Sequence, residues 1–301
     1  MISETQTKDL LTTTAGANYS GIDFKKHGGT RDIYFAQWGP SNELRVLKVD
    51  RPEEEITSPR AIRHVQRGYN TQHERHMAGI LQRDGGHPSL NKLVDYWQLP
   101  NERAVNVYEY FGGTTLEEVV LESPLNRQEF IAIFKDVLAA SKYMASVKGV
   151  AHRDIKPSNI LVDRNAIYSD SRPVAQITDF TNAEEVSVIN LREEQALPTV
   201  GGHLVTDPRL MQPFTGFTRR YTLQDDMYQV CSSMLFAAHG KHLFEYDPDK
   251  VKGTNHLTGE SLLDSEGRFD EKKFRKVLKN AVDTLPAYAK PFKDIIWRGM
   301  I

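Results

Sequence analysis

An α+β architecture, rich in strands at its start and in helices thereafter, is what this sequence predicts, and three observations predict it. Apolar and polar residues alternate over 22–50, with Ile33 and Phe35 set against Tyr34 and Ala36, and with Leu44, Val46 and Leu47 leading to Lys48. Strand-like runs follow at 91–99 and 104–110. From Asn126 the period changes: Phe130, Ile133, Phe134, Val137, Leu138 and Met144 recur at helical spacing, and similar patterns return at 230–238, 269–282 and 291–300. The third observation is the stretch His152–Val162, HRDIKPSNILV. It sets His152, Arg153, Asp154, Lys156 and Asn159 close together and then runs into the apolar trio Ile160, Leu161 and Val162, as a functional loop seated on a buried strand would.

Composition narrows the class. At 301 residues the chain accommodates two units, and 39% hydrophobic residues supply a core. The formal net charge of −2, with both signs interspersed, argues against nucleic acid or a membrane surface as partner. The single cysteine, Cys231, excludes an internal disulfide framework and fits a reducing, intracellular compartment, cytoplasmic or nuclear. Within its apolar run it reads as a small core residue. The N-terminal residues show no basic start followed by an apolar core, and no apolar stretch approaches the roughly 20 residues that span a bilayer. A soluble protein is expected. Residues 1–20, rich in Thr, Ser, Gly and Ala, read as a flexible tail. His73, His76 and His87 are too loosely placed to argue for zinc.

Several stretches admit two readings each. The pair Gly28-Gly29 is either a tight hairpin or a loop whose backbone amides approach a phosphate. Lys48 sits on a strand with apolar neighbours on both sides, where an unpaired ammonium would be costly. Glu74, within a helical pattern over 59–81, is the only acid between Glu55 and Asp84, so it is either the partner of Lys48 or part of a solvated face. Phe111-Gly112-Gly113 ends a strand as a hinge or a plain turn would. Asp225-Asp226 opens the apolar helix over 230–238, as capping carboxylates do.

At every fixed position the loop at 152–159 matches H-R-D-x-K-x-x-N, and the chain thereby resembles eukaryotic-type protein kinases, as a divergent member. The resemblance covers roughly residues 22–300. It implies a bilobal fold with a small β-rich N-lobe carrying one main helix at 21–111 and a larger helical C-lobe at 112–301. Further implied is an ATP- and Mg2+-dependent enzyme that transfers the γ-phosphoryl group to serine or threonine hydroxyls of a protein substrate, the preference resting on Lys156. In that frame Asp154 accepts the hydroxyl proton, Lys156 and Lys48 neutralise phosphate charge, and Glu74 positions Lys48. Asn159 and Asp179, the latter in Asp179-Phe180-Thr181, hold magnesium. Gly28, Gly29 and Ile33 cover the nucleotide, with backbone groups at Glu109 and Phe111 on adenine and Tyr108 as gatekeeper. Residues 181–208 form an activation segment with Ser187, Thr199 and Thr206 as phosphate acceptors and Arg153 as the phosphate's partner. Asp226 anchors the loop backbone. The chain departs from the pattern where Lys26 and Arg31 replace outer glycines, where Thr181 replaces the glycine of D-F-G, and where Thr206-Asp207-Pro208 stands near the place of A-P-E. These departures keep a second class open, a pseudokinase scaffold or allosteric binding module.

Overall fold

The computed structural model describes residues 4–28, 30–56, 62, 65, 70–168, 172–191, 222–247, 252–255, 262, 264–265 and 270–301. Gly29, Thr199, Thr206, Asp207 and Pro208 lie outside the described residues. The chain divides into two compact units, Met1–Gly86 with Asn91–Phe111, and His87–Leu90 with Gly112–Ile301.

The first unit is built on a five-stranded antiparallel sheet in the order β1-β2-β3-β5-β4, comprising β1 Tyr19–His27, β2 Arg31–Trp38, β3 Glu43–Asp50, β4 Leu93–Gln98 and β5 Ala104–Glu109. The turn residues Gly39 to Asn42 set the register of the second hairpin. Both Gly39 (φ +63°) and Asn42 (φ +53°) take the left-handed conformation that such a turn requires. Tyr34 then faces Leu47, Ile33 faces Lys48 and Arg31 faces Asp50. Because side chains alternate along a strand, Tyr34, Ala36, Leu47, Val49, Val105 and Val107 share one face and form the apolar core. Arg31, Ile33, Lys48, Asp50, Asn106 and Tyr108 share the other. Helix Thr71–Gln82 begins at Asn70, whose side chain accepts from the amides of Gln72 and His73, and it buries Glu74, Met77, Ala78 and Leu81.

The expected flexible tail is instead largely a helix, α1, Glu4–Ala15. Its stripe is short, and propensity alone would not hold it. Leu11 is wholly buried in the apolar core of the sheet, and Thr7 accepts a hydrogen bond of 2.8 Å from Arg103 Nη1. Tertiary packing, invisible in a weak sequence pattern, is what orders it.

The second unit is mainly helical. Helices α3 (Leu116–Glu122) and α4 (Arg127–Tyr143), which follow α2 (Thr71–Gln82) in the chain, each start with a capping box, Thr115 with Glu118 and Asn126 with Glu129. The second of these ends in a π-helical turn, Met144–Lys148, stopped by Gly149 at φ +63°. Strands β6 (Thr114–Thr115), β8 (Ile160–Val162) and β9 (Ala175–Ile177) make a three-stranded sheet, while β7 (Val150–Ala151) pairs with β10 (Glu184–Glu185). Gly113 is required by this sheet: a Cβ there would overlap the carbonyl of Val162 and the amide nitrogen of Asp163. Helix α6, Leu223–His239, follows the short α5 (Val186–Leu191) and is buried almost all round. Helices α7 (Glu271–Asp283) and α8 (Lys293–Met300) complete the unit, with Gly299 packed so closely on Cys231 that a Cβ would overlap its Sγ.

Two outcomes follow from this packing. Leu11→Ala should cost about 2–5 kcal/mol in chemical denaturation, and a loss well under 1 kcal/mol would mean that α1 is not part of the core. Burial pushes the Cys231 thiol up to about 12. Iodoacetamide at mildly alkaline pH should therefore modify Cys231 only after unfolding, as read by intact mass.

Candidate active site

Two polar constellations stand out, one in each unit. In the second unit the loop His152–Asn159 leaves β7 and enters β8 through a 3-10 turn, Pro157–Asn159. Asp225 and Asp226, adjacent in the first turn of α6, divide their work. Asp225 caps its own helix, accepting from the Thr222 amide and hydroxyl at 2.6 and 2.9 Å. Asp226 turns to the loop: its two oxygens accept from the backbone amides of His152 and Arg153 at 2.7 and 2.8 Å. One helical turn further, Gln229 accepts from the Ile155 amide at 2.8 Å and donates to the Arg153 carbonyl at 3.2 Å.

Held this way, Arg153 adopts φ +67° and the side chains of Asp154, Lys156 and Asn159 converge. Lys156 Nζ donates to Asp154 Oδ2 at 2.9 Å, and Asn159 Nδ2 donates to the same oxygen at 3.1 Å and to the Asp154 carbonyl at 2.9 Å. The Asp154 amide donates to His152 Nδ1 at 3.3 Å, so the ring proton sits on Nε2, 3.2 Å from the Thr178 carbonyl. The Thr178 amide in turn donates to the Asn159 carbonyl at 3.0 Å, tying the strand before Asp179 to the loop. Asp179 takes φ +68° and accepts from the Thr181 hydroxyl at 2.5 Å. Phe180 is buried, its ring edge-on to His152 at 5.6 Å. Arg153 Nη1 lies 3.9 Å from the Glu184 carboxylate, both side chains being buried. Ser187 is exposed near the start of α5.

In the first unit, Lys48 Nζ lies 2.9 Å from Glu74 Oε1 and 4.8 Å from the centroid of the Tyr108 ring. Glu74 is fully buried, and its other oxygen accepts from Arg31 Nη1 at 2.7 Å. Ile33 stands directly across from Lys48. Gly28 closes the turn between β1 and β2, its amide donating to the Arg31 carbonyl at 2.6 Å; a Cβ at Gly28 would come within 2.8 Å of that oxygen. The hairpin reading of the glycine turn therefore describes its local geometry. The Glu109 amide donates to the Lys92 carbonyl at 2.9 Å, and its own carbonyl accepts from Asn91 Nδ2 at 3.3 Å. Phe111 is the last residue of the first unit before Gly112, whose φ is +90°.

The family model for the protein kinase domain matches residues 49–296. The chain belongs to the protein kinase family. Lys48 lies one residue ahead of the matched span. Among curated proteins the kinase domain is similar to the serine/threonine-protein kinase pkn3 of Myxococcus xanthus, at 26% identity over 88% of this chain and 47% of that protein. It is similar also to the serine/threonine-protein kinase D of Synechocystis, at 27% identity over 75% of this chain and 41% of that protein. A third relative is the probable serine/threonine-protein kinase PknB of Lactococcus lactis, at 28% identity over 57% of this chain and 25% of that protein. The chain thus spans less than half the length of these relatives. Among the described residues, no helix is long and apolar enough to cross a membrane.

Three participants were not legible beforehand. Gln229 follows Asp226 by three residues on one helix face, a spacing that would have flagged it. Glu184 falls where no periodic pattern singles it out. In the sequence Arg31 registers only as a departure from a glycine pattern, although the strand register puts it and Lys48 on one face. Replacing Gln229 by Met should leave the Ile155 amide and the Arg153 carbonyl without their side-chain partner, at a cost of about 1–3 kcal/mol. Faster amide exchange at Ile155 would register it, and unchanged exchange would show that Asp226 alone holds the loop.

Proposed function

We propose that the chain is a protein serine/threonine kinase that transfers the γ-phosphoryl group of ATP, with magnesium, to a protein hydroxyl. The observation that carries this reading is the convergence of Asp154, Lys156 and Asn159 on a loop whose backbone is fixed by Asp226. Asp154 is a buried carboxylate with one oxygen occupied by Lys156 and Asn159. In that position it orients a substrate hydroxyl and accepts its proton as the oxygen becomes a nucleophile. Lys156 adds positive charge beside the oxygen where negative charge develops. Asn159 and Asp179 provide carboxamide and carboxylate oxygens, the hard donors that magnesium takes. The Asn159 amide group, bound to Asp154, fixes which end of the side chain carries the oxygen donor. Lys48, steadied by Glu74, matches the charge of the α- and β-phosphates, with Gly28, Gly29 and Ile33 covering the nucleotide and Glu109 and Phe111 contributing backbone groups to adenine. MgATP supplies the phosphoryl group and the charge neutralisation that these residues are arranged to complement. Ser187, Thr199 and Thr206 are the candidate phosphate acceptors of the activation segment in this scheme. A reducing, intracellular compartment accords with the buried thiol of Cys231.

One observation favours a second reading, a pseudokinase binding module. The Thr181 hydroxyl already donates to Asp179 Oδ1, so one of the two carboxylate oxygens is engaged within the chain. A single assay separates the two. With labelled ATP, magnesium and casein, the wild type should exceed Asp154→Asn by about 100-fold or more, with label on serine or threonine. Equal background in both proteins would leave the binding module as the reading.

A further inference from the structure

In the first unit the buried carboxylate of Glu74 serves two cations, one on each oxygen. Lys48 Nζ is 2.9 Å from Oε1 and Arg31 Nη1 is 2.7 Å from Oε2. Arg31 is itself fixed by its guanidinium fork: Nε donates to Thr71 Oγ1 at 2.9 Å and lies 3.6 Å from Asp50 Oδ1. The Thr71 hydroxyl donates to that same Asp50 oxygen, and the Thr71 carbonyl accepts from Asn106 Nδ2 at 2.9 Å. Two cationic and two acidic side chains therefore close a network, centred on the buried Arg31 and Glu74, that fastens the first turn of α2 to β2, β3 and β5. Burial is the first influence on Asp50 and raises its carboxyl above the ordinary range, against the opposing pull of Arg31 and Thr71.

We infer that Arg31 is a positioning residue for Lys48: it holds Glu74 inward and keeps its buried charge matched while Lys48 is drawn toward a phosphate. The inference rests on the kinase reading for the role of Lys48, and on geometry alone for the clamp. The physical need is plain. A carboxylate with no exposure is costly to leave with one partner when that partner is shared with a strongly anionic ligand. A second cation on the other oxygen removes this competition. Its planar fork also reaches Glu74 and Thr71 at once, which a lysine ammonium does not do in the same geometry. Arg31 occupies a position where the glycine-loop pattern has glycine, so the clamp is a property of this chain.

The test is a double-mutant cycle with Arg31→Lys and Glu74→Gln, assayed for kcat and for the KM of ATP with casein as phosphate acceptor. Arg31→Lys keeps a cation in place, which limits the risk of unfolding. It should lower kcat about tenfold in the wild-type background and change it by less than about twofold in the Glu74→Gln background. An equal loss in both backgrounds would mark Arg31 as a general structural residue, and no loss in either would remove it from the reaction; both overturn the inference. Hydrogen exchange of the amides of Thr71–Gln82 reads the clamp without catalysis. Arg31→Lys should speed it about fivefold or more. If the wild type transfers no phosphate beyond Asp154→Asn, the kinase reading fails while this measurement still decides the clamp, and unchanged exchange would overturn it.

Discussion

A single carboxylate, Asp226, decides the shape of the loop on which the candidate chemistry depends. Its two oxygens take the successive amides of His152 and Arg153, and in doing so they hold Arg153 in left-handed backbone that a branched or long side chain ordinarily avoids. Such strain costs about 1–3 kcal/mol, whereas hydrogen bonds to a charged group contribute about 1.5–3 kcal/mol each. Two of them outweigh the strain. The carboxylate is buried, but it lies in the first turn of α6, where the helix dipole favours negative charge. Gln229 then fixes the Ile155 amide and the Arg153 carbonyl on either side of Asp154, which is presented from a backbone with little freedom left.

The first unit solves an analogous problem with side chains on opposite sides of a carboxylate. Strand parity places Arg31 and Lys48 on one face of the sheet, and a buried glutamate arriving from α2 lies between them. The opposite face is filled by apolar side chains and closed by α1 through Leu11. Polarity is thereby segregated by sheet face: charges meet charges where a helix brings a partner, and hydrocarbon meets hydrocarbon where α1 covers the core. The apolar face also carries charged residues, Arg45 opposite Ala36 and, opposite Val49, Asp32. It is matched by Arg103 at 3.4 Å, by Arg51 at 3.6 Å and by His27 at 2.8 Å, so its charge is also compensated.

Much of this was legible because certain residues carry strong local information. The loop at 152–159 is dense enough in ionisable side chains to stand out alone, and the capping carboxylates Asp225-Asp226 announce the helix they open. The alternation over 22–50 likewise announces its strands, with Lys48 set between apolar neighbours. What escaped depends on tertiary contacts. Helix α1 has too weak a stripe to predict, since Leu11 is ordered by a core assembled from distant strands. Glu184 and Gln229 become meaningful only once β10 lies beside β7 and α6 lies under the loop. The adjacent aspartates 225 and 226 show the boundary well: residue type marks both as capping candidates and the kinase resemblance implies that Asp226 anchors the loop, while packing shows Asp225 capping its own helix and Asp226 taking the two loop amides.

Thr181 illustrates how a departure from a pattern acquires a physical meaning. The residue is buried and does not occupy positive φ, so the conformational freedom of a glycine is not being used at this position. Instead the strained residue is Asp179, at φ +68°, and the Thr181 hydroxyl donates to its carboxylate from two residues on. That bond holds one Asp179 oxygen in a set direction and offsets part of the backbone strain. It also lowers the entropy that the carboxylate would otherwise lose on meeting a cation. The same hydroxyl competes for the oxygen it orients. Preorganisation and competition thus come from one hydrogen bond, and their balance turns on whether a cation takes Oδ2 alone or displaces the threonine from Oδ1.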